Sequence, residues 1–466
     1  MNIQSTTSMT PTQVILPDDL ITEVLSFLPV KCLLRFRCVS MSWNTLILDP
    51  AFVKLHLNRS TRNQHLALVT FHATDIPGDS PDGSDRVLEY DFSVVPYSLR
   101  RLIENPSFTL SIDPYYRLSD KECFGIVGTC NGLILLKDIS STNAYIEYWL
   151  RLWNPTTRTI SQKFGYIRDF GNPRDDSSMF PGYYKFTFGY DNSTGTYKVV
   201  ASRYNPHQRR RNVRILGWKD NVWRDIECFP VIPLHLDNPI PEHYRNVGVY
   251  LSGTLNWLAI HNEFHYNFKN ITVQQLVIVS LDLETETYNQ YSLPHGFDRV
   301  PPAEPTVGVL GGLLCFSYSY RDTETHFVIW RMLKFGVEES WTQFLKISYQ
   351  NLQIDYDFSD GDVYHYQLLP LLLSEDDDTL ILNWTKESNP ILYNWRDNRV
   401  EEIKMTASST ITDNRTWDYD YICWYSAKRP DGDAAVTRIR RQLNSDVHNL
   451  TDGNAVFTRI RRKHEL

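Results

Sequence analysis

The residues that could do chemistry in this chain are few and poorly grouped. Asp282, Glu284 and Glu286 alternate along an expected strand and turn, a spacing that would put three carboxylates on one face. Two of them could act as general acid and base on a glycosidic bond, but the same spacing describes a solvated strand edge. His207, His235, His243, His261 and His265 include no H-E-x-x-H pair, and His261 and His265 fall in loop-like sequence. Neither a G-x-S-x-G nucleophile elbow nor a Walker or Rossmann glycine pattern occurs. Cys32, Cys38, Cys123, Cys130, Cys228, Cys315 and Cys423 are odd in number and scattered, without a C-x-x-C pair. No catalytic residue, metal site or cofactor is expected. What remains is binding.

Composition narrows the kind of binding. A net charge of −8 opposes a nucleic-acid partner, because affinity for phosphates comes largely from Lys and Arg. Met1–Thr12 is polar and rich in Ser and Thr, with no basic and apolar leader pattern. No run of about 18 apolar residues occurs, so no membrane span is expected. The terminal Lys463-His464-Glu465-Leu466 is similar to an ER-retention tetrapeptide, which means little without an entry signal. A reduced cytoplasmic or nuclear setting fits the cysteines best.

The elements that would position a binding site fall into two unlike parts. Residues 14–57 are helical in pattern. Pro17 suits a first helical position, and Asp18 and Asp19 face the positive end of the dipole. Leu20, Val24, Leu25 and Leu28 then recur at helical spacing until Pro29 stops the run. A second short helix carries Leu33, Leu34 and Phe36. Ser40 can cap a third bearing Trp43, Leu46 and Ile47, and Asp49-Pro50 opens a fourth with Phe52, Val53 and Leu57. So small a unit buries too little surface to be self-sufficient, so its density of Leu, Phe and Val needs cover. That cover is either the rest of the chain or a docked partner.

The strings LPDDL (Leu16–Leu20), EVLSFLPVKCLLRFRCVSMSW (Glu23–Trp43) and DPAFVKLHL (Asp49–Leu57) resemble a plant F-box, matched without a gap. The resemblance implies docking on a Skp-family adaptor and, through it, a cullin–RING ubiquitin ligase. Carried over by position, the implied contacts are Leu16, Pro17 and Leu20, then Leu28, Pro29, Val30 and Leu33, and finally Arg35, Arg37, Val39 and Trp43. Apolar anchors with arginines beside them suit such an interface. Met41 replaces the basic residue usual in the family, so no charged contact is expected there. Leu25, Leu34, Phe36 and Leu46 are assigned to internal packing.

From about Leu66 the helical period vanishes and short apolar runs alternate with turn residues. Aromatics make up 13% of the chain, and they suit pleated, half-buried surfaces. A loose unit recurs at intervals of about sixty residues, the mark of a β-propeller or related array. Its first halves are GTCNGLILL, FTFGYDNSTGTYKVV, LSGTLNWLAI, LGGLLCFSY and DDTLILNW, marked by Gly132, Gly189, Gly253, Gly312 and Thr379. Its second halves include LWNPTTR, GWKDNVWRDI, LDLETETY, FGVEESWTQF and YNWRDNRVEEI, each with an outgoing strand often led by Trp, Tyr or Thr. These strings resemble the kelch-related, F-box-associated interaction domain that follows many plant F-boxes. An intact kelch glycine doublet is approached only at Gly311-Gly312.

The expected architecture is a small all-α helical module followed by a large all-β, propeller-like domain. Residues 1–12 form a disordered N-terminus, 13–60 the F-box, 61–425 the β domain and 426–466 a mobile basic tail with TRIRR repeated. Ile76–Arg86 and Asp169–Ser178 read as exposed loops, His207–Arg211 as a basic one and Glu375–Asp378 as an acidic one. Two kinds of binding then stand against each other. In one, the F-box holds the Skp adaptor while the β domain captures a protein for ubiquitination. In the other, the β domain is a lectin-like module stacking sugars on Trp218, Trp223 or Trp257, residues that serve equally well as pins between blades.

Overall fold

The computed structural model describes residues 17–28, 30–49, 51–52, 55–56, 65–77, 86–110, 125–142, 145–154, 159–169, 184–205, 210–234, 248–261, 271–321, 325–354, 368–374, 376–384, 390–407 and 421–427. The expected N-terminal segment 1–12, most of the tail, and the HQR part of the basic loop lie outside them, as do Leu16 and Pro29. Residues up to Arg62 fall in one compact unit and Asn63–Asp431 in another.

The first unit contains α1 (Asp18–Ser26), α2 (Val30–Phe36) and α3 (Met41–Leu48). Pro17 is the N-cap of α1 rather than its first residue, and its carbonyl accepts from the Leu20 and Ile21 amides. The Ser40 hydroxyl caps α3 by accepting from the Trp43 amide at 3.2 Å. Asp49 takes the same role for the next helical turn, accepting from Ala51 at 2.7 Å and Phe52 at 3.3 Å.

The second unit is built almost wholly from antiparallel sheets. Blade 1 comprises Gly125–Cys130, Leu133–Ser141, Ile146–Asn154 and Thr159–Ile160, with Phe164–Asp169 also pairing to its third strand. Blade 2 is Lys185–Asp191, Thr196–Asn205, Arg210–Gly217 and Trp223–Ile226. Blade 3 is Val249–Leu251, Thr254–Ile260, Leu276–Asp282 and Tyr288–Tyr291, with Ile232–Pro233 on one edge. Blade 4 runs Thr306–Leu310, Leu313–Arg321, Thr325–Met332 and Trp341–Ser348, and blade 5 runs Leu368–Leu373, Thr379–Trp384, Ile391–Asn394 and Arg399–Glu402. These five sheets correspond one to one with the five sequence repeats.

A sixth sheet closes the ring. It joins Tyr421–Ala427 to His65–Pro77 and then to Arg86–Ser98, so both ends of the unit meet in one blade. The first strand of each blade touches the first strands of its neighbours, from blade 1 round to Tyr421–Ala427 and back. A short parallel pair, Ser107–Leu110 with Lys404–Ala407, ties the same two regions of chain together again. The architecture is a six-bladed propeller with mixed closure.

Turn chemistry explains the repeat. The first hairpins of blades 1, 3 and 4 turn on Asn131-Gly132, Ser252-Gly253 and Gly311-Gly312, all with positive φ. Two successive positive φ values define the hairpin turn that matches strand twist, and Gly, Asn and Ser tolerate them best. In blade 2 the corresponding glycine is Gly195, at φ 62, and the marker Gly189 lies inside the first strand. A Cβ at Gly189 would stand 2.7 Å from Leu283 and 2.9 Å from Tyr250, so glycine is needed there for contact with blade 3.

Candidate functional site: an apolar stripe on the helical unit

The helical unit has an interior and a second apolar face. Leu25, Leu33, Ile47 and Phe52 are its buried core, and Ile21, Leu28, Phe36, Trp43 and Leu46 pack against them. The Phe36 and Trp43 rings meet edge to face at 5.4 Å. On α1, Ile21, Leu25 and Leu28 turn inward at i, i+4 and i+7. One residue earlier in each case, Leu20, Val24 and Phe27 form a parallel stripe that is 52%, 62% and 59% exposed. Val39, between α2 and α3, and Met41, the first residue of α3, add exposures of 61% and 82%. Five large apolar side chains bare to water on so small a unit carry a steep solvation cost.

The positions carried over from the family pattern are distributed unevenly across these faces. Pro17, Leu20, Arg35 and Val39 are exposed. Leu33 is only 3% exposed and presents no surface to a partner; Leu28 and Trp43 are half-buried against the same core. They serve the interior because helical spacing places apolar residues on both stripes and does not mark which stripe is covered. Arg37 is half-buried and its Nε donates to Asn44 Oδ1 at 2.9 Å, tying the turn after α2 to α3. Val30 opens α2, and its side chain lies outside the described residues. Val24, Phe27 and Met41 belong to the exposed stripe and were not among the expected contacts. The i+4 step from Leu20 to Val24 was the available signal.

In the β unit, the residues that suggested chemistry turn out to join blades. Asp282 ends a strand and its carboxylate accepts from the Glu284 and Thr285 amides at 2.8 and 2.9 Å, shaping the turn. Glu286, at φ 57 in that turn, points to blade 2. It accepts two bonds from Arg224, at 2.7 and 3.0 Å, and one from Lys198 at 3.1 Å. Lys198 is buried, donates also to the Leu283 carbonyl, and pairs with the buried Asp191 at 3.0 Å. Burial pushes the Asp191 carboxyl up, but bonds from Thr194, Ser193 and Lys198 outweigh it and hold it at about 2. Burial likewise raises Glu286, and Arg224 and Lys198 bring it below the usual range. Asp282 is therefore committed to its turn and Glu286 to blade 2, while Glu284 is exposed.

The tryptophans make contacts within the propeller. Trp257 is buried, with the Phe229 ring edge-on at 5.1 Å. Trp218 packs edge-on at 4.4 Å against Phe164 of blade 1. Trp223 leads the fourth strand of blade 2, and its indole N–H donates to the Gly165 carbonyl, just past the fourth strand of blade 1, at 3.0 Å. Tyr288 of blade 3 donates to Glu227 at 3.0 Å, and Trp341 of blade 4 to Ser292 at 3.0 Å, in the same geometry. The Trp or Tyr leading each of these outgoing strands is thus a clasp onto the preceding blade. This fits the pin reading: Trp257 is buried, and Trp218 and Trp223 are half-buried against blade 1.

The strand directions sort the connections. Tight hairpins occupy one end of the propeller, where His65 and Ala427 also stand opposite each other. The first strands of blades 1 to 5 begin at the other end, at Gly125, Lys185, Val249, Thr306 and Leu368.

Comparison with known proteins agrees with both units. The family described as F-box associated beta propeller domain matches residues 87–426, and the F-box domain family matches residues 15–55. An F-box/kelch-repeat protein of Arabidopsis thaliana is 29% identical over 335 residues, covering 71% of this chain and 79% of the relative. The F-box protein CPR1 of the same plant is 25% identical over 341 residues, covering 70% and 72%. Among solved structures, the β-propeller domain of the Trilobed protease from Pyrococcus furiosus aligns with a TM-score of 0.31 at 9% identity, over 60% of this chain and 69% of that chain.

Proposed function

The chain belongs to the F-box associated beta propeller family, with an F-box ahead of the propeller, and on that premise we propose that it is a non-catalytic substrate adaptor of a Skp–cullin–F-box ubiquitin ligase. The observation that carries the proposal is the exposed stripe of Leu20, Val24, Phe27, Val39 and Met41 on a unit too small to bury it. A Skp-family adaptor covers that stripe, with Pro17 and Arg35 at its margin. The propeller captures the protein to be modified. Binding alone suffices for such a role, because tethering raises the effective concentration of substrate lysines at the conjugating enzyme, which other subunits supply. The working compartment is cytoplasm or nucleus.

The test is affinity purification from native tissue with the proteasome inhibited, comparing the full chain with a version lacking residues 1–60. Ligase subunits should be lost with the deletion and substrates retained by both. Equal recovery of a Skp-type protein by the two versions would refute the assignment of roles.

A further inference from the structure

Ser40 stands inside the exposed stripe, and the two arginines before it are spaced as a kinase would read them. It is exposed, and its neighbours Val39 and Met41 are two of the five bare apolar side chains. Arg37 and Arg35 precede it by three and five residues in the run Arg35-Phe36-Arg37-Cys38-Val39-Ser40. Arginines at those two offsets from a serine are what protein kinases with acidic substrate clefts select, since each guanidinium fork can pair with a carboxylate.

We propose that Ser40 is a phosphorylation site for an arginine-directed, ATP-dependent protein kinase, and that the phosphate prevents adaptor docking; the second half rests on the docking role proposed above. In the transfer the Ser40 Oγ gives up its proton and forms a bond to the γ-phosphorus of ATP. The bond from that phosphorus to the β,γ-bridging oxygen breaks, and ADP leaves. A kinase reads its substrate as extended chain, so the turn after α2 must open. That turn is held by the Cys38 and Val39 amides on the Arg35 and Phe36 carbonyls, each at 3.0 Å, and by Arg37 on Asn44. So small a helical unit opens locally at little cost when undocked, whereas an adaptor lying over Val39 and Met41 holds it shut. Modification and docking are therefore mutually exclusive.

The phosphate is compatible with the fold and incompatible with the interface. Its oxygens can still accept from the Trp43 amide, in place of the hydroxyl that caps α3 now. Docking, by contrast, would have to strip water from a doubly charged group set between two apolar anchors. The experiment uses the full chain. It is incubated with ATP and a purified arginine-directed kinase, the site is read by mass spectrometry, and adaptor affinity is titrated for the wild type, the phosphorylated protein, Ser40→Asp and Ser40→Asn. Asparagine keeps the cap without charge. We expect phosphate on Ser40, and a loss of roughly tenfold or more in affinity for the phosphorylated and Ser40→Asp proteins. Ser40→Asn should bind more tightly than Ser40→Asp, and the melting of the two variants should be close. Absence of phosphate at Ser40, or equal binding by the phosphorylated and unmodified proteins, would overturn the proposal. Failure of the unmodified wild type to bind adaptor would instead refute the docking role, and the switch with it.

Discussion

The Trp223 indole N–H donates to the Gly165 carbonyl at 3.0 Å, from the fourth strand of one blade to the chain leaving the one before. Gly165 meets blade 2 again through its own amide, which donates to Asn221 Oδ1 at 2.8 Å. Trp223→Phe keeps most of the ring and removes the donor. It should lower stability by about 1 kcal/mol, and by up to about 3 if the carbonyl stays dry. Gly165→Ala should cost more, because its φ is 62° and a Cβ would stand 2.9 Å from Leu216 and 3.1 Å from Leu150. Urea unfolding of the two variants checks the order, and the reverse order would contradict the clasp.

The Asp191–Lys198–Glu286–Arg224 network predicts an acid limb. Asp191 is held at about 2 in the folded protein, against an ordinary value of 3.8. Its contribution is complete above the unfolded pKa and disappears as pH falls through the folded one. Between about pH 4 and pH 2 the wild type should lose roughly 2 kcal/mol that Asp191→Asn does not lose. Unfolding free energies of both proteins across that range give the measurement.

Docking and folding in the F-box should separate by residue. Leu20→Ala with Val24→Ala should weaken adaptor binding by roughly tenfold or more and leave melting nearly unchanged, since both side chains are already in water. Leu33→Ala should instead cost about 2–5 kcal/mol of stability, enough to unfold the unit, and lose binding only as a consequence. Calorimetric titration and melting on the same proteins decide the matter. Equal stability losses would mean that the two stripes have been exchanged.

Closure by Tyr421–Ala427 predicts a sharp boundary for truncation. Ending the chain after Ala427 should preserve a single cooperative unfolding transition of the propeller. Ending it before Tyr421 removes the first strand of the closing blade, and should abolish that transition and promote aggregation through the exposed edge of His65–Pro77. Thermal scans and light scattering distinguish the two.

What could be read in the sequence was whatever is local. Five blades announced themselves because each is a run of consecutive residues with its own turn chemistry, as at Gly311-Gly312. The Trp223 and Tyr288 positions were visible as a regularity before their purpose was. The sixth blade was invisible, because no periodicity links His65 to Ala427 across the whole unit. In the helical unit the apolar positions are legible but not which stripe the fold covers, so Leu33 and Trp43, carried over as contacts, pack on the core, and Val24 and Phe27 stand exposed. The carboxylates at 282–286 misled for a similar reason. Alternation implies a shared face only while the strand continues, and here it ends at Asp282.

The pairing of His65 with Ala427 sets an order of events during synthesis. Blades 1 to 5 can each form as soon as their own residues have left the ribosome, but the sixth has to wait for the last strand of all. Throughout that interval the hairpin His65–Ser98 offers an unsatisfied row of backbone groups, the kind of surface that chaperones hold and that other nascent chains capture. A premature stop codon late in the message would therefore yield an unlatched ring rather than a slightly shorter protein. Quality control would meet it as a misfolded species, with five of its six blades intact.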